Sequence, residues 1–251
     1  EYIICSPSEQ ADERVSPIAQ NRWRKKGGCP LFSCILSLSL QKIIVRHRLD
    51  VLHIHAGSGG VFLLSKPHIP LLVTAHHTYE QERKGVFPRW SIPWMTKWFM
   101  ARLEARTYRL ADRITCVSED TRQAIIEDYG IDPKKLCVIE NAVPDDARVA
   151  ALTTRTSPPR QMLFLGRLEE RKGIWTLLSA FLCVLKHHPD LSVTLAGKNL
   201  LGDAIVQWIK ENNCTKNVFI LDHVTEEKKR ELLDTHDLLI IPSIVEGFGL
   251  I

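Results

Sequence analysis

Short apolar runs rich in β-branched residues alternate along the chain with segments of helical periodicity. The runs predict nine strands, at residues 2–5, 51–55, 71–75, 114–117, 136–139, 162–165, 192–196, 218–221 and 238–241. Most are almost continuously apolar, which is typical of parallel strands covered on both faces. Between them lie helical patterns such as residues 173–187, where apolar side chains recur every three or four positions. The sequence therefore predicts an α/β fold with parallel sheets covered by helices.

The alternation is interrupted once, over residues 143–161. This segment has two proline-containing stretches, small polar residues and no clear period, which is typical of a linker. The length of 251 residues allows two modest domains. We therefore predict an N-terminal Rossmann-like domain at residues 1–145, a linker at 146–160 and a second domain at 161–251.

Composition narrows the function classes. The net charge of +4 is too small for a dedicated nucleic-acid-binding protein, so we expect no nucleic-acid partner. The seven cysteines form no CxxC pair, and Cys116 and Cys137 stand in apolar runs. We expect both thiols to be buried and reduced, and therefore a cytoplasmic protein. The longest apolar stretch, residues 29–40, is too short to span a bilayer.

Several common catalytic motifs are absent from the sequence. It contains no GxGxxG, no GxxxxGK[ST], no GxSxG, no HExxH and no Asp-x-Asp. These absences argue against a dinucleotide-binding domain, a P-loop enzyme, a hydrolase and a zinc protease. We therefore expect neither a cofactor nor a metal site.

A cationic loop follows the strand predicted at residues 162–165. Arg167 and Lys172 stand five residues apart, and Lys172 directly precedes the helix that begins near Gly173. Two cations beside a helix N-terminus form an anion site, because the free N–H groups and the helix dipole add to their charge. The alternative is a solvated loop in which the two cations pair with Glu169 and Glu170.

The C-terminal segment combines a carboxylate with glycines. Glu246 is followed by Gly247, Phe248 and Gly249, and glycines allow close approach of a backbone to a ligand. A carboxylate at this position can accept hydrogen bonds from sugar hydroxyls. The alternative is an ordinary turn between a strand and a helix with an exposed Glu.

Taken together, FLGRLEERKG (164–173), LAGKN (195–199) and PSIVEGFGL (242–250) resemble the donor domain of retaining glycosyltransferases of family 4. The first half agrees, since VLHIH (51–55), VTAHH (73–77), CVSEDTR (116–122) and VIENAVP (138–144) fall where that family has its acceptor-domain strands and hinge. The resemblance implies the GT-B fold of two facing Rossmann-like domains. It also implies a retaining transferase that moves a sugar from a nucleotide-sugar donor to a glycan or lipid-linked acceptor of the cell envelope.

The resemblance assigns roles on the donor side. Arg167 and Lys172 match the pair that holds the donor diphosphate and stabilises its departing charge, and Glu246 matches the first Glu of a pair that contacts the donor. The remaining donor-binding positions are glycines and one aromatic residue, at Gly166, Gly197, Gly247, Phe248 and Gly249.

On the acceptor side, His76 matches a histidine that lies near the transferred sugar. Ser118 and Asn141 match residues that line the cleft between the domains. The family's opening strand would precede Glu1, and its second Glu would follow Ile251. We therefore expect a piece of a longer protein with an incomplete donor domain, which as it stands is inactive.

A metal-free mechanism follows from charge. Breaking a sugar–diphosphate bond places negative charge on the leaving group, and fixed cations with a helix N-terminus stabilise it. No general base stands out, which fits the retaining mechanism that the family implies. Two alternatives remain: a GT-B-like nucleotide-sugar epimerase, which needs acid and base carboxylates, and an inactive nucleotide-sugar-binding module.

Residues 83–109 carry Trp90, Trp94 and Trp98 at helical spacing, with seven basic residues against one Glu. Pro93 argues against a single helix running through all three tryptophans. Aromatic and cationic side chains on one helix suit an anionic membrane surface or a lipid-linked acceptor. The protein would then be peripheral on the inner face of the membrane. The alternative is that the tryptophans pack on the N-terminal sheet.

Overall fold

The computed structural model describes residues 4–6, 15–17, 24–56, 62–142, 158–249 and 251, with side chains from Ser33 onward. The chain divides into two compact units, one formed by residues 1–142 with 247–250 and the other by residues 143–246 with 251. The predicted linker lies largely outside the described residues, and the domain boundaries stay a prediction.

The described part of the first unit contains a four-stranded parallel sheet flanked by helices. In chain order its elements are β1 (Ile4–Ser6), β2 (Val15–Pro17), α1 (Arg24–His47), β3 (Leu52–Ala56), β4 (Leu71–Ala75), α2 (Tyr79–Val86), α3 (Ile92–Leu110), β5 (Arg113–Cys116), α4 (Glu119–Tyr129), a short 3₁₀ turn (Pro133–Lys135) and β6 (Leu136–Val138). The sheet has the order β3-β4-β5-β6, and β1 pairs with β2 in a separate parallel ribbon. Val73 on β4 pairs with Ile54 on one side and Ile114 on the other.

The core of this unit covers one face of the sheet. Ile54, Val73 and Ile114 are buried in a cluster that includes residues of α1, α3 and α4. The alternate residues of β3, His53 and His55, are exposed. Strand β3 therefore differs from the continuously apolar strands, because its LHIHA sequence alternates as that of a half-buried strand does.

Local signals set the helix starts. Ser118 caps α4 by accepting a hydrogen bond from the Thr121 N–H, as its position predicts. Ser91 caps α3, and Pro93 occupies its first turn, where a missing N–H costs nothing. Pro93 thus belongs to the beginning of α3 and leaves Trp90 outside it, so no single helix carries all three tryptophans.

The second unit contains another four-stranded parallel sheet. Its elements are β7 (Gln161–Leu165), a 3₁₀ turn (Glu170–Lys172), α5 (Ile174–Leu185), β8 (Ser192–Ala196), α6 (Asp203–Glu211), β9 (Val218–Leu221), α7 (Glu226–Thr235) and β10 (Leu238–Leu239). The strand order is β10-β7-β8-β9. The chain therefore adds β8 and β9 on one side of β7 and then returns to its other side with β10. The predicted α/β class with parallel sheets is confirmed in both units.

Two smaller expectations need correction. Cys116 is buried, but Cys137 is exposed, because β6 is the edge strand of its sheet and only Leu136 faces the core fully. The strand predicted at residues 238–241 ends at Leu239. Within the described residues, no helix is both long enough and apolar enough to cross a membrane.

Candidate active site

The functional residues predicted in the second unit lie where its strand order reverses. β7 and β10 are neighbours, although the chain adds β8 and β9 on the other side of β7 before it reaches β10, and ligands bind at such a reversal beyond the carboxyl ends of the strands. The loop after β7 carries Arg167 and Lys172, and the segment after β10 carries Glu246. The topology therefore brings the two predicted donor-binding segments to one edge of the sheet.

Lys172 and Glu246 are in direct contact. The Lys172 ammonium donates a hydrogen bond to a carboxylate oxygen of Glu246 in an ion pair, and only 14% of the Lys172 side chain is exposed. The backbone supports this pairing, because the Ile244 N–H donates to the Arg171 carbonyl oxygen at 2.9 Å. The Arg171 guanidinium adds a bond to the Val245 carbonyl oxygen at 3.0 Å.

Two glycines permit close approach of neighbouring loops, Gly173 between the loop after β7 and the segment after β10, and Gly197 between the loops after β8 and β7. A Cβ on Gly173 would lie 2.0 Å from the carbonyl oxygen of Pro242, and Gly173 has a φ of 69°. A Cβ on Gly197, whose φ is 135°, would lie 2.2 Å from the carbonyl oxygen of Gly166. A larger residue at either position would force the loops apart.

Arg167 lies in the same loop but does not join this contact. Its guanidinium forms an ion pair with Glu169 at 3.1 Å, and 54% of the side chain is exposed. Glu169 also accepts from Arg171 at 3.0 Å. The solvated-loop alternative therefore describes Arg167. Lys172 instead forms a partly buried pair with Glu246 and not with Glu170.

The electrostatics of this loop cluster are dominated by the pairing of Lys172 with Glu246. Burial acts to raise the pKa of Glu246, but the hydrogen bond and charge of Lys172 outweigh it, and the pKa lies below its usual value. The residue that precedes α5, Gly173, has no side chain to cap the helix. The first N–H groups of α5 therefore receive no hydrogen bond from a capping side chain. Lys172, Arg167 and these N–H groups together can stabilise phosphate charge.

Gly247, Phe248 and Gly249 directly follow Glu246 in sequence and group with the first unit. Phe248 is exposed, and Gly249 has a φ of 78°. Glycine is favoured at position 249, because its backbone has the left-handed conformation that residues with a Cβ rarely adopt.

The predicted residues of the first unit also share one edge of a sheet. His76 follows β4, Ser118 follows β5 and Asn141 follows β6, and these three strands are adjacent and parallel. The Thr121 N–H donates to the Ser118 hydroxyl, and the Thr121 hydroxyl donates to the His76 carbonyl oxygen at 3.4 Å. The sheet thus places all three residues beyond the carboxyl ends of its strands.

His76 is paired with a second histidine that the sequence analysis did not select. Its Nε2 lies 2.9 Å from Nδ1 of His55, and the two rings stack at 5.2 Å. Burial lowers the pKa of His76, and the neighbouring His55 and His77 lower it further. A neutral histidine ring has one donor and one acceptor nitrogen, so His76 can bond His55 through Nε2 and a further group through Nδ1.

Three residues that contact the predicted ones were not themselves predicted as site residues: Arg171 and Gly173 in the second unit, and His55 in the first. The alternating LHIHA pattern of β3 is the signal that could have identified His55, since its two histidines share one face. Arg171 and Gly173 gave no comparable signal, because their contacts are with a segment about 70 positions away.

No three His, Cys, Asp or Glu side chains of the described residues lie close enough to hold a metal ion.

Comparison with known families identifies the chain. The family model of Glycosyltransferase Family 4 matches residues 2–147, more than half of the chain, and that of Glycosyl transferases group 1 matches residues 153–251. The chain belongs to glycosyltransferase family 4. The resemblance drawn from the sequence motifs is confirmed.

Relatives of this family 4 chain share about a quarter of its residues. It is 26% identical over 209 residues to glycogen synthase of Mycobacterium tuberculosis, covering 81% of this chain and 49% of that protein. It is 24% identical over 223 residues to the phosphatidylinositol N-acetylglucosaminyltransferase GPI3 subunit of Saccharomyces cerevisiae, covering 84% and 47%. The chain spans about half the length of these curated relatives.

Solved structures agree on the fold. Sucrose-phosphate synthase of Thermosynechococcus elongatus superposes with a TM-score of 0.63 at 16% identity, covering 96% of this chain and 60% of that one. Anabaena HepE in complex with UDP and glucose gives a TM-score of 0.58 at 18% identity, covering 84% and 58%. The fold of this family 4 chain is that of the GT-B glycosyltransferases, as predicted.

Proposed function

We propose that the protein transfers a sugar from a nucleotide-sugar donor to a glycan or lipid-linked acceptor, with retention of configuration. The observation that carries this proposal is the Lys172–Glu246 pair beside the start of α5, at the point where the strand order of the second sheet reverses. Parallel sheets bind nucleotide-type ligands at this position. Membership of glycosyltransferase family 4 supports the same activity.

The chemistry follows from the charges of this loop cluster. Cleavage of the sugar–phosphate bond leaves negative charge on the diphosphate, and the Lys172 ammonium, the Arg167 guanidinium and the first N–H groups of α5 stabilise it. Glu246 holds Lys172 in place and accepts hydrogen bonds from hydroxyls of the donor sugar. The departing phosphate oxygen takes the proton of the acceptor hydroxyl on the same face, which gives retention.

His76 supplies a neutral polar group on the acceptor side. Its lowered pKa keeps the ring uncharged at neutral pH, so it does not oppose positive charge that develops on the sugar. It binds a sugar hydroxyl, and His55 fixes the orientation of the ring. Ser118 and Asn141 complete the same edge.

Related proteins support the substrate classes. HepE was crystallised with UDP and glucose, the mycobacterial relative is named for glycogen, and the yeast relative is named for phosphatidylinositol. We propose a nucleoside-diphosphate sugar as donor and an envelope polysaccharide or a lipid-linked glycan as acceptor, at the cytoplasmic side of a membrane.

The proposal includes independence from metal ions, because fixed cations and a helix N-terminus supply the charge that a divalent ion supplies elsewhere. Excess EDTA should leave transfer unchanged. Loss of turnover in EDTA with recovery on adding Mg²⁺ or Mn²⁺ would contradict this part.

The test is release of nucleoside diphosphate by the full-length protein from a panel of nucleotide sugars, with and without oligosaccharide or polyprenyl-diphosphate acceptors. We expect release that depends on acceptor, and Lys172→Ala should lower kcat about 100-fold, which corresponds to about 2.7 kcal/mol of transition-state stabilisation. Lys216→Ala, at an exposed lysine of the same unit, is the matched control. Epimerisation of the donor in the absence of acceptor would instead support a nucleotide-sugar epimerase. Binding of the donor without turnover would support an inactive nucleotide-sugar-binding module.

A further inference from the structure

Helix α3 exposes large apolar side chains. Ile92, Met95 and Phe99 recur at helical spacing on one face and are 81%, 54% and 55% exposed. The same face continues with Arg102 and Arg106, one and two turns further along the helix. We call these five residues the outer face of α3.

This exposure is not a consequence of a loosely packed helix. The opposite face of α3 contributes Met100, Ala101, Ala105 and Tyr108 to the core of the first unit. Glu104, also on that face, is fully buried and accepts hydrogen bonds from the Tyr129 hydroxyl and the Tyr79 N–H. The helix therefore has one fully packed apolar face and a second apolar face directed outward. Soluble proteins seldom expose a contiguous set of large apolar residues without a binding partner.

Tryptophans and arginines lie at the N-terminal end of the outer face. Trp90 precedes α3 with a φ of 70° and is exposed, and its ring lies 5.3 Å from that of Trp94. Arg89 lies over Trp90, and Arg102 lies over Trp98 at 4.3 Å. A cavity of about 540 Å³ opens here, lined by Arg83, Lys84, Phe87, Arg89, Trp94 and Trp98.

The exposed charged side chains of residues 83–109 are all positive. The single acidic residue of this range, Glu104, is buried and directed into the core. Arg83 is paired with Glu80 one turn earlier on α2, and Lys84 is paired with Asp128 of α4. Among the residues that the structure describes, Arg89 and Arg102 have no carboxylate partner, and each lies over an aromatic ring. The outer face and the cavity thus combine apolar groups with uncompensated positive charge.

We propose that the outer face of α3 and the adjoining cavity bind the surface of a membrane that contains anionic phospholipids. Ile92, Met95 and Phe99 enter the boundary between headgroups and acyl chains, while Arg102 reaches the phosphates. The tryptophans take the interfacial position that their amphipathic rings favour. The cavity receives the phosphate of one lipid headgroup beside Arg89. This inference rests on α3 and its surroundings and does not depend on the reaction proposed above.

The test is co-sedimentation of the purified protein with vesicles of phosphatidylcholine, and with vesicles of equimolar phosphatidylcholine and phosphatidylglycerol. We expect binding to the anionic vesicles that weakens as salt rises, with a blue shift of tryptophan fluorescence. Arg89→Gln and Arg102→Gln should each weaken the partition coefficient about fivefold, since one cation near such a surface contributes about 1 kcal/mol. Met95→Ser with Phe99→Ser should weaken it at least tenfold.

Matched controls distinguish this surface from general stickiness. Leu38→Ser with Phe219→Ser removes two other exposed apolar side chains, and Lys216→Gln removes an exposed cation elsewhere. All of these positions are exposed, so circular dichroism and thermal unfolding should stay unchanged. The proposal is overturned by equal binding to both vesicle types, or by equal losses of binding in the control variants. It is also overturned if the protein forms a concentration-dependent dimer that the outer-face variants dissociate while their binding to vesicles is unchanged.

Discussion

Lys172 and Glu246 are separated by 74 positions in sequence and form a partly buried ion pair. They meet because β7 and β10, which precede their loops, are neighbours in the sheet although the chain places three helices and two strands between them. The ammonium needed for phosphate is therefore already engaged by a carboxylate of the same site. This competition has a measurable consequence.

Glu246→Gln should tighten the binding of free nucleoside diphosphate and slow transfer. The amide removes the negative charge that pairs with Lys172, so the ammonium becomes available to phosphate, but it accepts sugar hydroxyls less well than a carboxylate does. Titration calorimetry with UDP or GDP measures the first effect, with a gain of about threefold to tenfold, and kcat measures the second. Lys172→Ala should weaken the same binding. If both variants weaken it equally, the pair acts only as a structural contact.

Gly173→Ala should destabilise the second unit. The added Cβ would overlap the Pro242 carbonyl oxygen and would also hold a non-glycine residue at positive φ. Gly130→Ala is the control, since Gly130 has a φ of 62° and open space around it. We expect a loss of about 1 kcal/mol for the control and at least about 3 kcal/mol for Gly173→Ala, measured by urea unfolding. Equal losses would mean that the loops adjust to the extra methyl group.

Glu104 should make the first unit less stable as pH rises from about 4.5 to about 7. Burial raises the pKa of Glu104 to about 7, against hydrogen bonds from Tyr129, Tyr79 and Tyr108 that act to lower it. Between the two pKa values the folded chain holds a proton that the unfolded chain has released, so the free energy of unfolding falls by about 3 kcal/mol across this window.

Glu104→Gln should remove that slope, because an amide does not titrate and keeps the neutral form of the group. Urea unfolding at a series of pH values measures it. Glu82 provides a contrast within the same unit. Its pKa is lowered to about 2, because the hydrogen bonds from His77 and Lys97 outweigh the effect of burial. Its contribution to stability is therefore lost only as pH falls below about 4.5. An unchanged slope between pH 4.5 and 7 in Glu104→Gln would assign the effect to another group.

The sequence was sufficient for the elements of the second unit but not for their contacts. Apolar runs located β7, β8 and β9 to within one residue, because buried parallel strands are continuously apolar. Strand order leaves no such signature in one sequence, so the contact of Lys172 with Glu246 could be expected only through the family resemblance.

Other features of the first unit were hidden for identifiable reasons. A glutamate on a helix is ordinarily solvated, and nothing in the local sequence indicates that Tyr79, Tyr108 and Tyr129 surround Glu104 in the core. Cys137 has apolar neighbours, but its exposure follows from the edge position of β6, which depends on the sheet as a whole. Pro93, by contrast, indicated correctly that the tryptophans do not share one helix.

His76 should stay neutral at pH values where an ordinary histidine is half protonated. Its pKa lies below 6.5 because burial disfavours the charged ring and because His55 and His77 oppose its charge. His55→Gln removes the stacked imidazole, so the pKa of His76 should rise. Titration of the Cε1 proton by NMR measures both values, and His76→Gln assigns the resonance.

In the transfer assay, the fall of kcat/KM at acid pH should follow the same midpoint and move upward in His55→Gln, because protonation removes the acceptor lone pair of the ring. An acid limb that does not move while the NMR midpoint does would exclude His76 from the reacting groups.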